Sequence, residues 1–405
     1  VDDSPAFPLA CLGHHFCGNP ASAPLTGDCC PGRACSWSAA QKQSNTPAAV
    51  ERAIAQAKAS GSLNLTSRGL TEVPAELCDW HGSAQPGDKW WEVVELSKLD
   101  LSHNELQDLP EPLFKSLSGL QTLHVGNNAL RTLPPALRHC AGTLKLLNVQ
   151  HNALAELPPP VGALESLVHL SVDYNALQSL PDALCDLAHV EVLVCSFNKL
   201  AALPARLGAM RALTRLDAAS NALIALPDSI GDLARLMELE LGHNRLAALP
   251  PGLARLSALV RLDCRENALS SASEVPAAPS LAELLLGFNR LAALPRALPP
   301  ALATLDVRDN AIEELDAEPL LALPRLRSLD LRNNALARLP PRLGLCTALT
   351  ALLLDGNPLR AVRRALLAAP ARELLEYLRG RIEDGAPPPP LSLVPIGHAA
   401  PLTPY

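Results

Sequence analysis

The side chains best suited to chemistry near the start of the chain are five cysteines with two histidines among them. They are Cys11, Cys17, Cys29, Cys30 and Cys35, with His14 and His15. Thiolates and imidazoles bind zinc, and cysteine pairs form disulfides in oxidising compartments. The segment has no C-x-x-C pair, and its spacing fits no zinc motif. We therefore expect residues 1–46 to form a disordered Cys/Pro/Gly-rich head, with a zinc site or disulfides as the alternatives.

Histidines also recur later in the chain, where they suggest either a metal site or a weak response to pH. His103, His151 and His243 hold equivalent places in a sequence repeat, and His151 and His169 are candidate neighbours. However, His103 and His151 lie two repeats apart, about 10 Å at the spacing of neighbouring strands, which is too far for one ion. We expect no metal and no cofactor.

The common catalytic motifs are absent from the sequence. It contains no G-x-x-x-x-G-K-[ST] phosphate loop, no G-x-G-x-x-G opening a helix, no H-E-x-x-H and no G-x-S-x-G. The net charge of −7 argues against whole-surface attraction to nucleic acid or anionic lipid. No apolar run is long enough to span a bilayer, and the start of the chain lacks a signal-peptide pattern. We expect a non-enzyme with no small-molecule substrate, nucleic acid or membrane partner.

The elements that position all these side chains come from one repeated pattern, L-x-x-L-x-L-x-x-N-x-L-x-x-L-P, whose first nine places we number 1 to 9. Twelve copies follow one another with 21 to 24 residues between their asparagines. The asparagines at position 9 are Asn104, Asn128, Asn152, Asn175, Asn198, Asn221, Asn244, Asn267, Asn289, Asn310, Asn334 and Asn357. A degenerate copy at 63–74 precedes them and has Arg68 in place of the asparagine. We number the twelve copies as repeats 1 to 12.

This pattern resembles the leucine-rich repeat signature. The alternating leucines predict a short strand with one buried face, and the asparagine amide can bond the backbone groups that the following turn leaves unpaired. One unit cannot bury its own leucines, so it needs neighbours on both sides. We therefore predict an α/β solenoid: a horseshoe of 12 to 13 repeats of about 23 residues, with parallel strands on the concave face and helical caps.

The ends of such an array must be covered. Residues 48–59 predict a helix that ends near Gly61, and Trp80, Trp90 and Trp91 are candidates to plug the first end. We assign 47–95 to an N-terminal cap with the degenerate repeat, 96–358 to the array, 359–384 to a C-terminal cap helix and 385–405 to a disordered proline-rich tail. The other six cysteines are scattered singly through the array, which favours a reducing compartment, the cytoplasm or the nucleus.

Three segments resemble one particular family, that of leucine-rich repeat-containing protein 40. They are SGSLNLTSRGLTEVP at 60–74, the Lys89-Trp90-Trp91-Glu92 block with the LSKLDLSHNELQ that follows it, and GNPLRAVRRALLAAPARELLEYLRGRIEDG at 356–385. The resemblance covers about residues 47–385. It implies an intracellular, non-enzymatic repeat protein, and it supplies no catalytic residues.

Binding residues are expected beside the strand leucines, because those side chains point into the inner curve. Repeats 2 to 5 hold an apolar and aromatic group there: His124, Leu146, Asn148, His151, His169, Asp173, Tyr174, Val192, Val194 and Phe197. Such a cluster is typical of a contact site for a protein. The alternative is that Tyr174 and Phe197 fold back and pack over the asparagine turn.

Repeats 6 to 11 are charged instead. Position 5 holds Asp217, Glu240, Asp263, Leu285, Asp306 and Asp330, and the flanking arginines are Arg215, Arg261, Arg265, Arg308 and Arg332. These charges form either a self-neutralising lattice or a salt-sensitive docking strip. We expect a protein-binding scaffold or adaptor in intracellular signalling. The alternative is the regulatory repeat arm of a larger kinase or GTPase whose catalytic domain lies outside this chain.

Overall fold

A computed structural model describes residues 47–81, 94–270, 278–367 and 369–382. In these residues, thirteen strands form one parallel sheet in which each strand pairs with the next along the chain, from β1 to β13. The first and last strands do not meet, so the sheet is open. The register aligns equivalent repeat positions, as where Leu193 lies opposite Leu216. The predicted leucine-rich repeat solenoid, with one strand per repeat, is confirmed.

Each strand covers positions 3 to 5 of its repeat. The strands are β1 Ser62–Asn64, β2 Lys98–Asp100, β3 Thr122–His124, β4 Leu146–Asn148, β5 His169–Ser171, β6 Val192–Val194, β7 Arg215–Asp217, β8 Glu238–Glu240, β9 Arg261–Asp263, β10 Glu283–Leu285, β11 Thr304–Asp306, β12 Ser328–Asp330 and β13 Ala351–Leu353. The middle residue of each strand is buried, because side chains alternate between the two faces.

The opposite side of most repeats carries a single helical turn. The α-helices are α1 Pro47–Ser60, α2 Glu111–Ser116, α3 Glu318–Leu321, α4 Arg364–Leu367 and α5 Ala371–Arg379. The 3₁₀ segments are Ala75–Asp79, Pro135–Cys140, Pro159–Ala163, Asp182–Asp186, Leu207–Ala209, Asp228–Asp232, Pro251–Arg255 and Pro341–Leu345. The proline of the Leu-Pro pair is extended, as at Pro181 with φ −68° and ψ 143°, and the turn begins after it.

The core is a continuous stack of leucines from positions 1, 4 and 6. In repeat 7, Leu236, Leu239 and Leu241 are all fully buried. Where position 6 departs from leucine, a small residue is buried in its place, as with Cys195 and Ala218. No unit could bury these side chains alone. Stacking removes them from water, which stabilises the fold by roughly 25 cal/mol per Å² of apolar surface buried.

The asparagine at position 9 joins each repeat to the one before it. The amide nitrogen of Asn198 donates to the carbonyl oxygens of Cys195 (3.1 Å) and Ser196 (3.1 Å) in its own repeat. It also donates to that of Val172 (3.0 Å) in the preceding repeat. Its Oδ1 accepts the N–H of Leu177 at 3.0 Å. Oδ1 of every template asparagine accepts in this way from the preceding unit, so backbone groups at the turn are satisfied across repeat boundaries.

Helices lie at both ends of the described array. Helix α1 buries Ile54 and Ala57 and ends before Gly61, which has φ +68°, close to the predicted bounds. The predicted C-terminal cap helix is two shorter helices, α4 and α5, and Pro370 precedes the second. Trp80 is buried as predicted, and its indole N–H donates to the carbonyl oxygen of Val94 at 3.1 Å.

Several expectations fall outside the described residues. They concern the cysteine-rich head at 1–46, Trp90 and Trp91, and the tail at 385–405. In the segments that the structure describes, no helix is both long enough and apolar enough to cross a bilayer.

Replacing the inter-repeat amide should destabilise the array. In Asn198→Ala, the N–H of Leu177 and the carbonyl oxygen of Val172 lose their partner, so we expect the free energy of unfolding to fall by about 2–4 kcal/mol. Chemical denaturation measures this loss. The exposed neighbour gives the control: Lys199→Ala should change stability by less than about 0.5 kcal/mol. Equal stabilities for the two variants would contradict this role of the asparagine.

Candidate functional site

The candidate site lies on the strand face, which we define as the side chains at positions 3 and 5 with the positions 7 and 8 that follow. In β6, half-buried Val192 and Val194 flank the buried Leu193. In β5, exposed His169 and half-buried Ser171 flank Leu170. Parallel pairing in register arranges these side chains in rows that cross the strands.

Position 8 has a left-handed backbone in every repeat, which sequence reasoning missed. Its φ lies between +50° and +58° in the twelve non-glycine cases, and Gly356 has φ +77°. The chain must turn sharply here to leave the strand and place the asparagine. Because the same conformation recurs, the side chains at position 8 leave the backbone in the same direction in neighbouring repeats. The run of His, Asn, Asp, Ser and Gly at this position was the available signal, since His, Asn and Asp are enriched in this conformation.

Three successive side chains at position 8 form an aromatic stack: His151, Tyr174 and Phe197. The ring centroids of His151 and Tyr174 are 4.0 Å apart, with 13° between the ring planes. Those of Tyr174 and Phe197 are 4.1 Å apart, with 8° between the planes. Parallel strands repeat every 4.8 Å or so, which suits this stacking.

The aromatic stack remains accessible to solvent. Tyr174 is 41% exposed and Phe197 is 46% exposed. The rings therefore pack on one another along the array and keep nearly half of their surface exposed. The stack lines a groove together with the asparagines of its repeats, Lys199 and Ser220.

The apolar residues predicted for this face lie on strands β4 to β6, in the same repeats as the aromatic stack. The register places Leu146 opposite His169, and His169 opposite Val192. Val194 lies between Ser171 on one side and Asp217 on the other. His169 therefore has Leu146 and Val192 as its strand partners, whereas His151 stacks on Tyr174. In the described residues, no group of three or more potential metal ligands is placed to hold an ion.

Asp173, at position 7 between β5 and Tyr174, is a buried carboxylate with 8% of its surface exposed. Burial raises its pKa, and the negative charge of Asp217 raises it further, while its own backbone N–H and His151 act in the opposite direction. Within the described part of the chain, Asp173 forms no ion pair with lysine or arginine. A buried carboxylate without such a partner lowers the stability of the fold. Groups of this kind are common at functional sites.

Within the described ranges, most of the charged residues predicted in repeats 6 to 11 form ion pairs, with Asp217 as an exception. Arg261 pairs with Glu240 at 2.8 Å and also with Glu283, and the Nε of Arg215 lies 3.5 Å from a carboxylate oxygen of Glu238. Burial raises the pKa of Glu240 despite its bond to Arg261. This geometry is that of the self-neutralising lattice.

In three further ion pairs, the arginine at position 7 faces the aspartate at position 5 of its own repeat. They are Arg265 with Asp263, Arg308 with Asp306 and Arg332 with Asp330. Arg265 and Arg332 hydrogen-bond the carboxylate through Nε, whereas the Nε of Arg308 lies 3.5 Å from it. These aspartates are buried, with 4% to 8% of their surface exposed.

The structure thus divides the predicted binding residues. It brings His151, Tyr174 and Phe197 into contact, and it pairs His169 with Val192 across β5 and β6, with Val194 at the end of β6. It places Glu240, Arg261 and Asp263 on β8 and β9, within the ion-pair lattice. Asp217 lies at the boundary, next to Val194 on β6.

The unpaired carboxylate of Asp173 makes stability depend on pH. Its folded pKa lies above the ordinary value of 3.8, so the folded state binds the proton more tightly, and stability falls as pH rises through the window above 3.8. We expect Asp173→Asn to be more stable than the wild type at pH 7, with the difference shrinking as pH falls towards 3.8. Thermal unfolding from pH 7 to pH 4 measures it. A destabilised Asp173→Asn at pH 7 would contradict the burial penalty.

Comparisons with known proteins agree with this architecture. A family model described as leucine-rich repeat region matches residues 139–343, and another, leucine rich repeat, matches 94–154. A leucine-rich repeat protein of Leptospira interrogans is 25% identical with a TM-score of 0.57, over 78% of this chain and 94% of that one.

Two plant receptors solved with bound partners are also similar. The peptide hormone receptor RGFR1 in complex with RGF2 is 28% identical with a TM-score of 0.59, over 71% of this chain and 45% of the receptor. The ectodomain of the Arabidopsis thaliana receptor kinase GASSHO1/SCHENGEN3, in complex with CASPARIAN STRIP INTEGRITY FACTOR 2, is 25% identical with a TM-score of 0.56. That match covers 73% of this chain and 41% of the ectodomain. The chain spans less than half the length of both receptors.

Proposed function

The chain belongs to the leucine-rich repeat family, and from that premise we propose that it is a non-enzymatic scaffold or adaptor whose protein partner binds the strand face. The observation that carries the proposal is the half-exposed aromatic stack of repeats 3 to 5, on the strand face that also holds Val192 and Val194. Exposed aromatic and aliphatic groups held on a rigid sheet lose little conformational entropy when a partner covers them.

The remaining predicted contacts surround this centre. They are His169, Asp173, Arg215, Asp217, Glu240, Arg261 and Asp263, while His151, Tyr174 and Phe197 form the centre itself. An apolar centre with charged residues towards β7 to β9 has the anatomy of a protein interface, with an anchoring core and a polar rim. The two plant receptors, whose structures contain a bound partner, support a peptide or protein ligand for this chain as well.

A non-enzymatic role is supported by the state of the reactive side chains. Burial raises the pKa of the thiols of Cys140 and Cys346 to about 11, and it raises those of Cys195 and Cys264 further still. Thiols in this state are poor nucleophiles and act as small apolar residues. The arginines and carboxylates of the lattice neutralise each other.

We further propose an intracellular role in signalling, in the cytoplasm or nucleus, in line with the resemblance to the family of leucine-rich repeat-containing protein 40. The six described cysteines are all free, which suits a reducing compartment. We keep the division into caps at 47–95 and 359–384 around an array at 96–358 as part of this proposal.

Introducing charge into the apolar centre should abolish partner binding without unfolding the chain. We expect Val194→Asp and Phe197→Asp to lose the main partner in pull-downs, because a carboxylate would have to be desolvated at the contact. The matched control is Ile224→Asp, which places the same charge on a side chain that is 65% exposed and lies outside the strands. Circular dichroism checks folding. Unchanged recovery by both strand-face variants would rule out this site.

A further inference from the structure

One recurring arrangement on the strand face consists of an aspartate at position 5 and an arginine at position 7 of the same repeat. The pairs are Asp263 with Arg265, Asp306 with Arg308 and Asp330 with Arg332. In repeat 10 the arrangement includes a ring as well. The guanidinium carbon of Arg308 lies 5.2 Å from the ring centroid of Phe288, which is at position 8 of the preceding repeat. One guanidinium therefore contacts both a ring and a carboxylate, as its planar, cationic chemistry allows.

Repeat 6 has the same ring and the same carboxylate but lacks the arginine. Phe197 holds position 8 of the preceding repeat, as Phe288 does, and Asp217 holds position 5, as Asp306 does. Position 7 is Ala219, whose methyl group cannot bond either of them. Asp217 accepts from the hydroxyl of Ser196 at 3.2 Å and from the N–H of Ala219 at 3.1 Å. Across the described ranges, it forms no ion pair.

The surroundings of Asp217 are short of positive charge. Asp173 is nine-tenths buried, has no lysine or arginine partner in the described chain and is electrostatically coupled to Asp217. The nearest strand arginine, Arg215, pairs with Glu238. Lys199 lines the groove of the aromatic stack but forms no ion pair with Asp217. Glu240, opposite Asp217 on β8, is bonded by Arg261. Neither carboxylate therefore has a lysine or arginine partner of its own in the described chain.

The aromatic stack also ends at this place. One face of Phe197 is covered by Tyr174. Position 8 of the next repeat is Ser220, a small residue, and the following one is His243, whose Nδ1 is 2.7 Å from Glu266. At about 4.8 Å per strand, the gap between Phe197 and His243 spans two repeats, which is room for one planar group in stacking contact.

We propose that an arginine of the partner completes repeat 6, with its guanidinium stacked on Phe197 and paired with Asp217. The partner's guanidinium occupies in repeat 6 the position that the guanidinium of Arg308 occupies beside Phe288 and Asp306 in repeat 10. This inference rests on the proposed function and adds the chemistry of the partner. The partner segment presents an arginine to the strand face and, next to it, an apolar residue that contacts Val194. Lysine fits less well, because it lacks the planar fork that stacks and pairs at the same time.

A random heptapeptide phage library selected on the full chain tests this inference. We expect an arginine-containing consensus on the wild type. The same selection on Ala219→Arg should give no arginine consensus, because the chain's own position 7 then supplies the guanidinium, as in repeats 8, 10 and 11. Asp217→Asn is a second test variant, which removes the charge of the carboxylate without enlarging the side chain. The control, Ala202→Arg, adds an arginine at an exposed position away from the strands.

The best arginine peptide should bind Ala219→Arg and Asp217→Asn about tenfold to a hundredfold more weakly than the wild type, the usual worth of a hydrogen bond to a charged group. Binding to Ala202→Arg should not change, and a citrulline version of the peptide should lose affinity for the wild type. A consensus without arginine, or undiminished binding to both site variants, would overturn this inference and leave the interaction surface standing. Failure to enrich any peptide would count against the surface as well.

Discussion

The position-9 asparagine is the interaction on which the rest of this structure depends. Every repeat must turn at the end of its strand, and the turn leaves backbone donors and acceptors that water cannot reach. The amide of Asn244 satisfies four of them: the carbonyl oxygens of Leu241 and Gly242 in its own repeat, and the carbonyl oxygen of Ala218 and the N–H of Leu223 in the repeat before it. The side chain therefore closes the turn and also holds neighbouring repeats in one fixed register.

The common register of the repeats determines which side chains meet on the strand face. Because the turn repeats identically, position 8 has a left-handed backbone in each unit, and rings at this position meet face to face at 4.0 and 4.1 Å. The same regularity sets position 5 beside position 7, so an aspartate and an arginine two residues apart form a pair wherever both occur. Where position 7 is not an arginine, as at Ala219, the aspartate at position 5 of that repeat lacks this partner.

Much of the fold was predictable from the sequence, and the reasons are local. Buried leucines at three fixed positions and an asparagine at a fourth leave few ways to fold each unit, and a nearly constant period fixes the strand register, as in the pairing of Leu193 with Leu216. The site was predictable as a set of residues but not as a geometry. Sequence spacing gave no backbone conformation for position 8, so the stacking of Tyr174 between His151 and Phe197 could not be foreseen.

The partners of long side chains were equally hard to predict. Arg261 bonds carboxylates on both neighbouring strands, whereas Arg265 bonds the aspartate two residues before it. Both have the same charge and flank the same strand, β9. The choice depends on rotamers and on which carboxylates are already bonded, and a single sequence shows neither.

The most direct test of the asparagine's role is native-state hydrogen exchange at the backbone N–H groups that donate to asparagine Oδ1. Those of Leu177 and Leu200 lie outside the strands, and their acceptors are Asn198 and Asn221. If the asparagines hold the repeats together, these two amides should exchange as slowly as the strand amide of Leu193, since all three would open only when the array opens. Exchange at the rate of an exposed loop, with Leu193 still protected, would show that the strands hold their register without the asparagines.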